Sequence, residues 1–378
     1  MKTSQFVHTR FLVGVIAGLG SLTLAFEAIG AESPGPDFLT LSRDSRTGSS
    51  SREVTIRLRD GSSVHVRGKA GALIAGAYSA ARSKQYDTAI SLLTAALQTN
   101  PDKNIACYIY FDRAAAYSEK GQLDKALSDW TAAIQFNPKN APAYYNRAIV
   151  YSRRRQYNLA IRDSTTAIQL NPKYANAYHN RGAFHADIGE FDKAIADYGE
   201  AIRFNPRSAS TFDNRAQAYE YIEKFDKAIA DYDRVIQIVP KDAEDYAARG
   251  NAYFAKDDYK AAVSSFRKAL QLSPNNDPAL GGLAWLKATC PDASLRNGKE
   301  AIRMSTRACE LSKWKEPDHI EALAAAHAET GDFDEAVKYQ TQAMNVKSEH
   351  GPVLKEARER LALYQDHKPW RSKPLIAG

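Results

Sequence analysis

Three asparagines, Asn146, Asn180 and Asn214, recur at intervals of 34 residues, and each immediately precedes an arginine. An amide side chain carries both donor and acceptor, so a column of amides can pair with the backbone of an extended peptide whatever its sequence. Asp112 takes this position one interval earlier and Ala248 one interval later, so the column is short. Three neutral hydrogen bonds at about 1 kcal/mol net each yield roughly 3 kcal/mol, weaker than millimolar binding. Side chains on the same expected face must supply the rest, and the set there is Tyr108, Phe111, Tyr145, His179, Asp213, Gln217 and Tyr221, rich in rings suited to anchoring a partner. The asparagines could equally do no more than satisfy neighbouring helix groups, and the residues alone leave both roles open.

Other chemistry finds less support. The eight histidines are scattered. There is no His-x-x-x-His or Cys-x-x-Cys spacing for a metal, no glycine-rich phosphate loop and no strand-turn-helix nucleophile. Neither catalysis nor a cofactor is expected, and no small-molecule substrate is evident. Arg113, Arg147, Arg181, Arg215 and Arg249 suggest an anion track, but Asp129, Asp163, Asp197 and Asp231 keep the same interval. The arginines therefore read as ion-pair partners inside a stack, fixing helix orientation more than adding stability. The densest basic run, Arg153-Arg154-Arg155, reads as a solvated helix end. A net charge of +7 spread among 44 acidic residues is not the concentrated stripe of a nucleic-acid binder.

The elements that would position these residues are written with the same period. Pro138, Pro172, Pro206, Pro240 and Pro274 are each 34 apart, and a period of this length with helical patterning inside marks a helix-turn-helix solenoid. In each interval a first helix carries Arg followed by a small residue, then an aromatic, as in Arg147-Ala148 to Tyr151 and Arg249-Gly250 to Tyr253. The small residue lets helices approach and a ring fills the gap. The second helix repeats alanines (Ala126, Ala160, Ala194, Ala228, Ala262) and large residues (Trp130, Tyr198, Tyr232, Phe266) on one stripe. Each proline forbids continuation, and Asn140, Ser208, Asp242 and Asn276 are placed as N-caps of the next helix. His185, where tyrosine is usual, reads as a packed, hydrogen-bonded core histidine, with Ser164 making room. Three more residues separate Pro101 from Arg113 than separate Pro138 from Arg147, which predicts a longer loop there.

The ends differ from the middle. Lys2 and Arg10 precede an uncharged apolar run from Phe11 to Phe26, followed by Ile29-Gly30-Ala31, the pattern of a secretory signal over 1–31 cut after Ala31. The run is shorter than the roughly 20 residues a spanning helix needs, so membrane contact is expected only if this segment stays uncleaved. Losing Lys2, Arg10 and Glu27 takes +1 from the net charge and leaves +6. Residues 32–51, rich in Ser, Gly and Pro, read as a disordered linker. Residues 52–69 read as a β-hairpin, with Val54, Ile56 and Leu58, a turn at Asp60-Gly61-Ser62, then Val64 and Val66. Two strands alone are marginal, so the hairpin should lean on the first helix. Residues 352–366 read as a capping helix and 367–378 as a tail. Of three cysteines, Cys290 and Cys309 fall in one helix-turn-helix unit and could form a disulfide in an oxidising compartment; buried free thiols are the other reading.

With its small-aromatic-small pattern and closing proline, the chain resembles the tetratricopeptide repeat family over about eight units: 70–106, 107–140, 141–174, 175–208, 209–242, 243–276, 277–317 and 318–351. The unit with Ala288-Thr289-Cys290-Pro291-Asp292 looks like a variant of exported bacterial members. The resemblance implies an all-α, right-handed superhelical solenoid carrying the short N-terminal hairpin. It also implies binding of a protein or extended peptide at Asn146, Asn180 and Asn214. The lysines with which chaperone-binding members grip a terminal carboxylate are absent, since Phe111, Tyr145, His179 and Asp213 occupy the compared position. The expected function is a non-catalytic protein-interaction scaffold in the periplasm or cell envelope; the alternative is an accessory subunit of an envelope enzyme or glycan-handling complex.

Overall fold

A computed structural model describes residues 38–42, 53–57, 63–66, 68–350 and 355–372. The 1–31 leader, Leu58, the Asp60-Gly61-Ser62 turn and residues 373–378 lie outside the described residues. The repeats fall into two compact units, one ending at Pro206 and the other beginning at Arg207.

The first unit opens with three antiparallel strands, β1 (Phe38–Ser42), β2 (Glu53–Arg57) and β3 (Ser63–Val66), in that order across the sheet. Leu39 lies opposite Ile56, and Val54 opposite Val66. The β2–β3 pair is the expected hairpin. Strand β1 corrects the reading of 32–51 as linker throughout: Phe38-Leu39-Thr40-Leu41 is a short strand-forming run masked by its Ser, Gly and Pro flanks, and pairing along the edge of β2 gives its backbone partners. Val66 is buried against Ile74, Leu93 and Ile109, which ties the sheet to the helices.

Eight helices follow: α1 (Gly68–Arg82), α2 (Tyr86–Leu97), α3 (Lys103–Glu119), α4 (Leu123–Phe136), α5 (Ala141–Arg153), α6 (Tyr157–Leu170), α7 (Ala175–Asp187) and α8 (Phe191–Phe204). Pro138 and Pro172 sit in the connections between pairs. The three additional residues before Arg113 do not lengthen a loop. They extend α3 to 17 residues, because the Asp102 carboxylate accepts from the Ile105 amide at 3.0 Å and caps the helix a turn early. The Asn140 side chain caps α5 in the same way, accepting from Ala143 N at 3.1 Å.

The second unit holds α9 (Ala209–Tyr221), α10 (Phe225–Ile238), α11 (Ala243–Ala255), α12 (Tyr259–Leu272), α13 (Asp277–Thr289), α14 (Gly298–Leu311), α15 (Pro317–Glu329), α16 (Phe333–His350) and α17 (Lys355–Gln365). Asp242 and Asn276 cap α11 and α13 through their side chains, whereas Ser208 bonds Thr211 Oγ1 at 2.7 Å and makes no side-chain cap. Helix α17 buries Ala357, Arg360 and Tyr364. The reading of everything after 366 as a tail is corrected for 370–372: Trp370 joins two core clusters, and Ser372 N donates to the Thr289 carbonyl at 2.9 Å. A lone aromatic and an arginine between two prolines carry no helical period, so only the tertiary surface shows where they go.

Within both units the repeated alanines are fully buried, and the interval's small residue accommodates a ring of the paired second helix. A Cβ on Gly182 would fall 2.9 Å from the Tyr198 ring, and one on Gly250 would fall 2.7 Å from Phe266. Of the two readings for Cys290 and Cys309, the structure has the free, buried thiols. Both thiols are free and buried in different helix seams, Cys290 with Phe266, Leu283 and Leu286, and Cys309 with Ile320, Leu323 and Ala343.

Candidate functional site

Each first helix is held in rotation by its arginine. In four consecutive repeats the guanidinium forms two parallel bonds to an aspartate 16 residues on: Arg113 to Asp129, Arg147 to Asp163, Arg181 to Asp197 and Arg215 to Asp231, at 2.6–3.0 Å. In three of them a further nitrogen reaches the hydroxyl of Thr94, Thr131 or Thr165 on the second helix of the preceding repeat. Aromatic rings one turn before and after flank the guanidinium, as Tyr144 and Tyr151 flank Arg147. Each of these arginines is thereby paired with a carboxylate, and the anion-track reading has no unpaired cation among them to use.

The basic run is balanced as well. Arg154 pairs with Asp124 at 2.8 Å, Arg153 feels the charge of Glu119, and Arg155 that of Asp187. His185 is packed as expected, its Nδ1 2.6 Å from Glu190.

With the helices locked in this rotation, the residue before each arginine takes a fixed place on its helix. In the first unit this sets Asp112, Asn146 and Asn180 on successive first helices α3, α5 and α7, all partly exposed. Tyr145 on α5 hydrogen-bonds the side chain of Asn180 on α7, and its ring lies 5.0 Å from that of Tyr174. Burial pushes the Tyr145 hydroxyl up to about 12, so it stays a neutral donor. One such bond leaves the Asn180 amide with capacity for others. Among the described residues no side-chain partner engages Asn146.

Asp112 is the residue that spacing undervalued. Desolvation raises its carboxyl to about 7, so near neutral pH it is partly protonated and, like an amide, both donates and accepts. The position in the 34-residue register was visible; the shifted ionisation was not. Burial holds His179 neutral, pulling its imidazole down to about 4, with the ring tilted against Tyr198 at 5.7 Å.

The remaining candidates divide. Tyr108 is partly exposed on α3. Phe111 is corrected: it is buried in a core cluster with Cys107, Trp130 and Ala143 and is not available to a partner. Its position in the register equals that of Tyr145, but where Tyr145 is partly exposed Phe111 packs against Trp130 and Ala143. Asn214, Asp213, Gln217 and Tyr221 stand on α9, in the second unit. There Gln217 Nε2 donates to Asp213 at 2.7 Å, and burial raises the Tyr221 hydroxyl. Among the described residues no group of three or more His, Cys, Asp or Glu side chains could hold a metal ion, and no helix is long and apolar enough to cross a membrane.

The sequence matches family profiles described as TPR repeat over 114–154 and as tetratricopeptide repeat over 141–174, 175–208, 209–242, 243–276 and 321–350, more than half of the chain. The chain belongs to the tetratricopeptide repeat family. Tetratricopeptide repeat proteins bind protein or peptide partners, and the chain is an all-α interaction scaffold of that class. No curated protein matches it. Among solved structures, the C-terminal part of a TPR repeat-containing protein from Cytophaga hutchinsonii is 18% identical with a TM-score of 0.50, over 75% of this chain and 97% of its own. This likeness shows the fold. A tetratricopeptide repeat protein from Parabacteroides merdae is 16% identical over 79% of this chain and 99% of its own, with a TM-score of 0.46. MamA protein is 27% identical over 45% of this chain and 93% of its own, with a TM-score of 0.43.

Proposed function

We propose that the first unit binds an extended protein segment across the face bearing Asp112, Tyr145, Asn146 and Asn180, and performs no reaction on it. The observation that carries this reading is the combination of ion-paired arginines with neighbouring amides that retain hydrogen-bonding capacity. Arg147 and Arg181 each direct three donors into the stack, while the adjacent Asn146 and Asn180 keep donor and acceptor capacity at a partly exposed surface. The first helices are rigidly oriented, so most of the ordering entropy of binding falls on the partner. Tyr108 and Tyr145 offer ring surface beside the amides.

The pattern at 1–31 supports export, with cleavage after Ala31 and action in the periplasm or cell envelope. The mature chain would then begin at Glu32, which intact mass of the envelope-fraction protein measures directly.

Capture of partners from an envelope extract tests the binding face. Asn180→Ala combined with Tyr145→Ala should lose the captured proteins while the helical content stays unchanged. Retention of the same partners by the double variant would move binding to another surface.

A further inference from the structure

The residues after α17 turn back onto α13 and α15. Trp285 and Thr289 stand two 34-residue intervals after Gln217 and Tyr221, the positions expected to line a groove. Aligning Gly331-Asp332-Phe333 with Gly189-Glu190-Phe191 puts Glu321 at the place of His179 and Glu329 at the place of Asp187. The chain's own C-terminal segment engages these four positions. The Arg360 guanidinium lies between the indoles of Trp285 and Trp370, 5.4 and 5.7 Å from their ring centres, and pairs with Glu321 at 2.8 Å. Arg371 pairs with Glu329 at 2.6 Å and donates to the Ala288 carbonyl. Ser372 N donates to the Thr289 carbonyl, and the two hydroxyls bond at 2.8 Å.

We propose that the face of α13 and α15 carrying Trp285, Thr289, Glu321 and Glu329 is a binding site for an extended segment carrying an aromatic residue followed by arginine, and that Trp370-Arg371-Ser372 is its resident occupant, displaced by a protein segment of that chemistry. The site has the parts such a segment needs: a cation-faced shelf for a ring, a carboxylate for a guanidinium, and backbone and hydroxyl groups for main-chain pairing. The resident is held lightly. Residues 366–368 leading to it are exposed, and Arg371 is 35% exposed. Release also leaves no stranded buried carboxylate, because Glu329 keeps Arg296 at 3.0 Å and Glu321 keeps Arg360. A resident tail lowers the apparent affinity of a competing segment by the fraction of time the site is filled. This inference does not rest on the Asn146–Asn180 face, and the two fail separately.

The test uses the full-length chain and a fluorescein-labelled synthetic peptide of residues 366–378, followed by anisotropy. The unmodified chain should bind this peptide weakly. Trp370→Ala with Arg371→Ala should bind it about tenfold more tightly, and adding Glu329→Gln to that variant should weaken it again by about tenfold. A scrambled peptide should not bind. Ser372→Pro, which removes one backbone donor and leaves both side chains, should fall between the first two, and it serves if the double variant loses the fold of α13–α17 by hydrogen exchange. Equal binding by the unmodified chain, the double variant and Ser372→Pro overturns the proposal, as does binding insensitive to Glu329→Gln.

Discussion

Arg249 pairs with Asp233, on the second helix of the preceding repeat, at 2.6 Å. The four arginines before it each hold an aspartate 16 residues further along, but Ser265 stands there and accepts a single bond from Arg249 Nε at 3.2 Å. One interaction therefore has two interchangeable anchors, within a repeat or between repeats, and the arginine follows the carboxylate.

The consequence for stability is a contrast between two sites. Asp163→Ala should strand the buried Arg147 guanidinium and cost about 3–5 kcal/mol. Ser265→Ala removes one neutral acceptor from an arginine that keeps Asp233, and should cost about 1 kcal/mol. Urea unfolding midpoints of the two variants measure the difference.

Close helix approach gives a second expectation. In Gly182→Ala the new methyl would lie 2.9 Å from the Tyr198 ring and 3.1 Å from the Ala194 carbonyl. Backbone oxygen cannot retreat as a flexible side chain can, so overpacking should cost about 1–3 kcal/mol, read as a lower unfolding midpoint with unchanged slope.

Asp112 and His179 give the first unit two opposing pH dependences. The Asp112 carboxyl, raised to about 7, ionises in the unfolded chain first, so its contribution is full below its unfolded pKa near 4 and is lost as pH rises toward 7. The His179 imidazole, lowered to about 4, contributes stability above its unfolded value near 6.5, which is lost as pH falls toward 4. Each unit of displacement corresponds to about 1.4 kcal/mol. Asp112→Asn should make the decline between about pH 4 and 7 shallower and leave the part due to Asp187, whose carboxyl burial raises to about 6; unfolding free energies measured across pH 4–8 decide this.

The thiols supply a fourth. Cys107, Cys290 and Cys309 are free and buried, and burial pushes Cys309 up to about 12. Iodoacetamide should leave the native protein largely unmodified, and alkylation in denaturant without reductant should add three labels by mass. A result of one label would show that two of the three are joined, and locating the label on Cys107 would identify the Cys290–Cys309 bond.

The repeat architecture was legible in the chain because its causes are local and periodic. Prolines break helices where they stand, Asn140, Asp242 and Asn276 cap the next ones, and buried alanines at helical spacing dictate which stripe faces inward. The Arg147–Asp163 pairing was legible for the same reason, since both residues keep one interval. Where the period lapses, so does the information. Phe111 shares the register of Tyr145 yet is buried, packed against Trp130 and Ala143. The ionisation of Asp112 depends on how much water its neighbours exclude. Trp370 and Arg371 find Arg360 and Glu329 only because folding brings a distant surface beneath them. Spacing specifies which residues share a face; the desolvation of that face and the chain that comes to cover it are properties of packing among elements far apart in sequence, and only the tertiary structure decides them.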